Sequence, residues 1–162
     1  MRLGEGVEWS IHCCTILALL PQGVTISGRR LAEFHAVPAP YLVKHLQKLS
    51  QAGIVETTTG RKGGYRLARD QSEITLLDVV LALEGEERAF RCTEIRRDGP
   101  SGIKGLTYPR PCGISQAMWR AEQAWRAELK ATTIADMNVE AAASIDPRQL
   151  AKAITWFEEA LA

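Results

Sequence analysis

Two pairs of side chains in this sequence could do chemistry. Glu8 and His12 stand four residues apart within a run of helical periodicity, so they share one helical face. A carboxylate and an imidazole so placed can make an ordinary intrahelical contact or offer two donor atoms to a metal. Cys92 and Cys112 bracket a segment without periodicity, too far apart for a CxxC clip. They read either as two unrelated thiols or as two thiolates that fix an otherwise formless loop on a metal cluster. A helix starting at Cys112 would favour its thiolate. Cys13 and Cys14 turn away from the Glu8–His12 face, and Cys14 follows the apolar stripe as a core residue. A structural zinc on Glu, His and two Cys is also chemically open.

The elements that must position these groups follow from pattern and punctuation. Residues 4–20 repeat Val7, Ile11, Cys14, Leu17 and Ala18 at three- and four-residue steps, and Pro21 ends the run. Ser27 is placed to cap a second helix, with Leu31, Ala32 and Phe34 inside. Pro38 and Pro40 mark the turn into a third helix, about residues 39–52, closed by Gly53. There Tyr41, Leu42, Leu46 and Leu49 are expected on one side, with Lys44 and Lys48 elsewhere. Ile54 to Thr59 and Tyr65 to Ala68 read as two strands around the glycine-rich turn at residues 60–64. Residues 74–84 form a further helix with Thr75 as cap and Gly85 as stop. Glu86 to Pro111 is irregular, longer than a compact domain normally tolerates unless something fixes it.

From Cys112 to about Ala142 one long helix is predicted, carrying Ile114, Met118, Ala121, Trp125, Leu129 and Ile134. A final helix spans about 147–161. Helix, helix, turn, helix and two-stranded ribbon is the order of a winged helix-turn-helix. The fold class is therefore mainly α, a winged helix-turn-helix head with a two-stranded β wing plus a long dimerisation helix. The division is 1–85 for the head, 86–111 for the loop and 112–162 for the dimerisation and C-terminal helices. The long helix cannot bury its stripe within so small a head, so a homodimer is expected.

Composition agrees with a globular protein: of 162 residues, 46% are apolar and 24% charged, with a net charge of +1. The apolar run Ile16 to Leu20 is too short to cross a bilayer, which takes ~20 residues. Glu5 and Glu8 near the start do not suit a signal peptide. A cytoplasmic protein is expected, and in that compartment four cysteines argue for metal or redox chemistry over disulfides.

The charge is unevenly spread. Between Ser27 and Asp70 there are eight Lys or Arg against three acids, a local +5. That excess suits either a solvated basic face or contact with phosphates. In a winged helix-turn-helix the third helix enters the major groove and the wing follows the backbone. Double-stranded DNA would then meet Ala39, Tyr41 and Lys44 near the start of the third helix, Lys48 further along, and Arg61 and Lys62 at the wing tip. Tyr41 suits core packing or phosphate contact equally. Gly63 and Gly64 read as turn formers, and His35 and His45 as structural or solvent-facing. No nucleophile–base constellation appears. GRKGG lacks the order of a phosphate-binding loop and does not open a helix, so an enzyme is not expected.

Taken together, YLVKHLQKLSQAGIV, GRKGGYRLA, ITLLDVVLALEG, the cysteine-bearing loop and WRAELKATTIADM resemble the Rrf-type regulators, the IscR/NsrR family, over residues 3 to 138. The resemblance implies a dimeric winged-helix transcription factor, a repressor, with an iron–sulfur cluster controlling DNA binding. The commoner pattern places three cysteines close together in the loop, whereas this chain has none between Cys92 and Cys112. It is instead similar to the RsrR-type redox-sensing branch. That likeness implies a 2Fe–2S cluster held by Glu8 and His12 of one subunit and Cys92 and Cys112 of the other. Imidazole in place of thiolate raises a cluster's potential, a hard carboxylate offsets part of the rise, and the helical half of the site becomes the expected moving part. Two other functions stay open: a cofactor-free regulator sensing a metabolite or partner protein, and an iron–sulfur electron-transfer protein whose basic head is incidental.

Overall fold

In the computed structural model, which describes residues 3–60 and 63–161, helix α1 (Glu5–Leu19) is the centre of the packing. It is buried on more than one stripe: Gly6, Val7, Ser10, Cys13, Cys14 and Leu17 are all shielded from solvent. Helices α3 (Ala39–Gln51), α4 (Leu76–Glu84) and α6 (Ile134–Ser144) all pack on it, as does strand β2 (Gly64–Leu67). Glu8 and His12 occupy the remaining, exposed face.

The helix-turn-helix is built from local signals. Ser27 caps α2 (Gly28–Phe34), its hydroxyl accepting the Arg30 amide at 3.2 Å. Ala36 adopts a left-handed conformation, φ 52°, and turns the chain toward α3. Pro38 caps α3, and Pro40 sits in its first turn, where its missing N–H leaves no bond unmade. Leu42, Leu46 and Leu49 are fully buried. Tyr41 does not share their side as the pattern suggested. It is 60% exposed, because a step of one residue is about 100° around a helix and the leucine stripe is narrow.

Strands β1 (Val55–Thr58) and β2 pair antiparallel, Val55 opposite Leu67 and Thr58 opposite Gly64. They are slightly shorter than the residue pattern indicated. Ile26, just before α2, adds a bridge to the other edge of β2 through paired bonds with Tyr65 of 3.1 and 2.8 Å. That bridge explains Gly64, where a Cβ would lie 2.5 Å from the Ile26 carbonyl oxygen. Its small size serves close backbone approach as well as the turn.

A capping box, Thr75 with Asp78, starts α4, and Gly85 ends it at φ 85°. The single long helix expected from Cys112 to Ala142 is two helices, α5 (Gly113–Ala131) and α6. Thr132 and Thr133 are extended between them, and Thr133 forms a second capping box with Asp136. The junction is clipped to the start of α4: Leu76 donates to the Thr132 carbonyl at 2.9 Å and Ile134 to that of Ile74 at 2.9 Å. Side-chain and tertiary hydrogen bonds therefore override the apolar recurrence, and Ile134 enters the core fully buried.

Helix α6 returns onto α1, where Asn138 donates to the Thr15 carbonyl at 3.3 Å and to Gln71 Oε1 at 2.9 Å. Helix α7 (Pro147–Leu161) lays Trp156 and Phe157 against Phe34 of α2, ring centroids 5.0 and 4.8 Å away. No helix among the described residues is long and apolar enough to cross a membrane.

Candidate nucleic-acid interface and cysteine loop

Most of the basic excess in the head is engaged within the fold. Arg30 pairs with Glu33 at 2.9 Å, and Arg66 with Glu56 across the β1–β2 ladder. Arg69 donates to the Glu73 carbonyl at 3.3 Å and lies 3.9 Å from Asp78. Lys48 donates to the Leu83 carbonyl at 2.9 Å, in the last turn of α4, where the helix dipole favours a cation. Lys44 is exposed, its ammonium 5.7 Å from the centre of the Tyr41 ring. Ala39 is half-buried at the first position of α3 and packs against the core. Arg61 and Lys62 lie outside the described residues.

Arg29 was not singled out by sequence reasoning, although it was part of the charge count. It is exposed and has no carboxylate partner among the described residues. Its neighbour Gly28 lies close against α3: a Cβ there would meet Val43 Cγ2 at 2.9 Å. Arg29 and Lys44 each stand one residue beyond that contact. Among the described cations between Ser27 and Asp70 they are the two free of carboxylate and carbonyl partners.

On α1, Glu8 and His12 present their side chains to solvent on one face. The ring of His12 lies 5.7 Å from that of His35, inclined by 47°. His35 is the C-cap of α2, so the Glu8–His12 face adjoins the turn between α2 and α3. Burial, and then the nearby His12, hold the His35 imidazole below its ordinary pKa, and its Nε2 has no hydrogen-bond partner among the described residues. Cys13 and Cys14 are fully buried, and burial pushes both thiols up to about 12. They are core residues, not ligands or nucleophiles.

Cys112 caps α5, its sulfur accepting the Ser115 amide at 3.4 Å. That amide, the Ile114 amide, a hydrogen bond from the Cys92 thiol and the charge of Arg96 together hold Cys112 below the usual thiol range, against a smaller opposing effect of desolvation. The structure therefore brings Cys92 and Cys112 together, which their spacing alone could not show. Side chains rather than periodicity hold the loop. Arg126 of α5 pairs with Glu122 at 2.8 Å and donates to the Glu86 carbonyl at 3.2 Å, while Glu122 accepts the Ala89 amide at 3.2 Å. Arg88 lies 4.4 Å over Trp119, and Arg96 lies 4.2 Å over Tyr108. These contacts leave an open cleft of about 750 Å³ bordered by Phe90, Cys92, Glu94, Tyr108, Ser115 and Trp119.

Glu8 and His12 share an exposed face of α1 and Cys92 adjoins Cys112, but among the described residues no contact joins the two pairs. No group of three or more His, Cys, Asp or Glu suited to a metal ion occurs among the described residues.

Residues 3–140 match the profile of the Rrf2 family, described as "Iron-dependent Transcriptional regulator". YffB of Lactococcus lactis, named as a helix-turn-helix-type transcriptional regulator, is 32% identical over 118 residues, 73% of this chain and 74% of its own. A regulator so named from Mycobacterium tuberculosis is 30% identical over 138 residues, 85% of this chain and 81% of its own. Among solved structures, CymR, the global cysteine regulator of Bacillus subtilis, superposes with a TM-score of 0.67 at 20% identity, covering 86% of this chain and 98% of its own. IscR of T. potens does so with 0.67 at 22%, covering 93% and 96%. These two share the fold, a mainly helical winged helix-turn-helix. The sequence relatives are named for regulation of transcription, which is not an enzymatic role. The chain is a member of the Rrf2 family of transcriptional regulators.

Proposed function

We propose that this regulator is a homodimeric repressor whose affinity for a double-stranded DNA operator is set by the redox state of a 2Fe–2S cluster shared between its subunits. Glu8 and His12 of one protomer and Cys92 and Cys112 of the other would hold the cluster. The observation that carries this reading is the separation of two half-sites. A thiol pair lies at the start of α5, and a carboxylate–imidazole pair lies on the outward face of α1. Each half is exposed enough to meet a second chain, and neither is completed in its own.

The donor chemistry fits the group. Cys112 is held in a thiolate-favouring position by amides and by Arg96, as a sulfur ligand must be. Glu8 and His12 are one helical turn apart and unburied, so both can reach a common partner. When bound, the cluster supplies one-electron redox chemistry at the subunit boundary. The His12 side of the site lies against His35, at the turn between α2 and α3, so altered ligation there would reach the head directly.

The dimer is supported by α5. Ile114 is 68% and Met118 45% exposed, and Ala121 on the same stripe is also exposed. Trp125 and Leu129, further along, pack against the core of their own chain. A second copy would cover the outer part of the stripe. On this reading residues 1–85 form the DNA-binding head, 86–111 the cluster loop and 112–162 the dimerisation and C-terminal helices, in a cytoplasmic protein. Ala39, Tyr41, Lys44, Arg61 and Lys62 remain the proposed DNA contacts, with Lys44 the best placed of the described cations among them, whereas Lys48 is held by the Leu83 carbonyl and is no longer proposed as one.

Gel-shift titrations of anaerobically purified protein, oxidised and reduced at one salt concentration, test the switch. Different affinities are expected, and equal ones would sink it. Mixing a His12→Ala chain with a Cys92→Ala chain tests the bridging. One of the two sites in the heterodimer should keep all four ligands and bind a cluster.

A further inference from the structure

Ser115 is fully buried, and its hydroxyl has no hydrogen-bond partner among the described residues. One turn further along α5, the Trp119 indole N–H is buried and unpartnered as well. Buried polar groups are almost always satisfied, so each exception points to a strain or to a missing ligand. The spacing of Cys112, Ser115 and Trp119 places them on one face of α5. Ser115 and Trp119 border the same cleft as Cys92, and the Ser115 amide is already given to the Cys112 sulfur. No contact of the hydroxyl among the described residues explains a serine here. Alanine would fill the space without the cost of an orphaned hydroxyl.

We propose that Ser115 and Trp119 are potential-setting residues on the cysteine side of the site: the Ser115 hydroxyl, and secondarily the Trp119 indole, donate hydrogen bonds to sulfur of the bound iron–sulfur group. The inference rests on the cluster reading above. Donors to sulfur withdraw electron density and favour the reduced state, so they raise the reduction potential. Both donors border the cleft of Cys92, on the cysteine side of the site, so they would tune the potential without touching the ligands on α1.

The test is an anaerobic redox titration, followed by electron paramagnetic resonance, of cluster-bearing wild type, Ser115→Ala and Trp119→Phe. The phenylalanine variant keeps a ring under Arg88 while removing the N–H. Both variants should retain the visible absorption of the cluster and titrate at more negative midpoints. A tenfold loss of preference for the reduced state corresponds to about 59 mV for one electron. The cluster-free Ser115→Ala protein should melt no lower than wild type, because it loses only an unsatisfied group. Unchanged midpoints in both variants would overturn the proposal. So would a clearly lowered melting temperature of the cluster-free Ser115→Ala chain, which would make the serine structural. A colourless wild type would overturn the cluster reading, and this one with it.

Discussion

The ammonium of Lys48 lies 2.9 Å from the carbonyl oxygen of Leu83 and so ties α3 to the last turn of α4. Lys44, one turn earlier, lies over the Tyr41 ring and has no carboxylate or carbonyl partner among the described residues. The two lysines should therefore behave differently. Lys44→Ala is expected to reduce the slope of log affinity against log salt by about 0.9 on a duplex of random sequence, the loss of one phosphate contact. Lys48→Ala should leave that slope nearly unchanged and instead lower stability by about 1 kcal/mol. Equal slope changes would show that Lys48 leaves Leu83 to bind DNA.

Arg29 gives a second contrast. It has no carboxylate partner among the described residues, whereas Arg30 is paired with Glu33. Arg29→Ala should reduce the same salt slope by about one phosphate contact, and Arg30→Ala by less. Fluorescence anisotropy at several salt concentrations measures both. The pairing argument fails if the two variants cannot be told apart.

What the chain revealed before its structure divides along the range of the interactions involved. Ser27, Thr75 and the Pro38–Pro40 turn were legible because a cap or a proline acts on its immediate neighbours. Glu8 and His12 were legible as a pair because four residues make one helical turn. The break at Thr132 was missed although Thr133 and Asp136 have capping-box spacing, because Leu129 and Ile134 continue the apolar recurrence across it. Only the bonds from Leu76 and Ile134 to the neighbouring segment decide between the two signals. The engagement of Lys48, the freedom of Arg29 and the meeting of Cys92 with Cys112 depend on residues far apart in the chain, and no local pattern encodes them. Ser115 gave no signal at all, since an orphaned hydroxyl is visible only once its surroundings are.

The four thiols should separate by reactivity in reduced, cluster-free protein. Cys112 is held below the ordinary thiol value of 9.0, first by the Ser115 amide, so its thiolate persists to lower pH than that of an unstructured cysteine. Cys13 and Cys14 are raised to about 12 by burial. Their neutral forms favour the folded state. That contribution is complete below pH 9, the unfolded value, and is lost as pH rises toward 12. Pulse alkylation with iodoacetamide at stepped pH, read by mass spectrometry, should label Cys112 first and leave Cys13 and Cys14 unlabelled until the protein unfolds. Cys92→Ala should shift the Cys112 profile to higher pH, because it removes one hydrogen bond to the thiolate. Labelling of Cys13 or Cys14 alongside Cys112 in native protein would contradict the burial on which their assignment as core residues rests.

The α5–α6 break makes the last prediction. Thr133 accepts the Asp136 amide at 3.1 Å, and Asp136 in turn accepts the Thr133 amide at 2.8 Å, so each side chain satisfies a backbone donor of the other. The Thr133 hydroxyl, which donates to the carboxylate at 2.6 Å, and then the Thr133 amide hold the Asp136 carboxyl below the usual carboxylate range. Removing such a cap costs about 1 kcal/mol. Here the same junction carries the Ile134–Ile74 backbone bond and sets Ile134 into the core beside α1. Thr133→Ala should therefore lower the melting temperature by a few degrees. Thr133→Ser, which keeps the hydroxyl, should restore most of the loss. If Thr133→Ala were neutral, or raised helicity by circular dichroism, the uninterrupted helix first expected from the apolar recurrence would be the better description. Ile134 would then have to reach the core by another route.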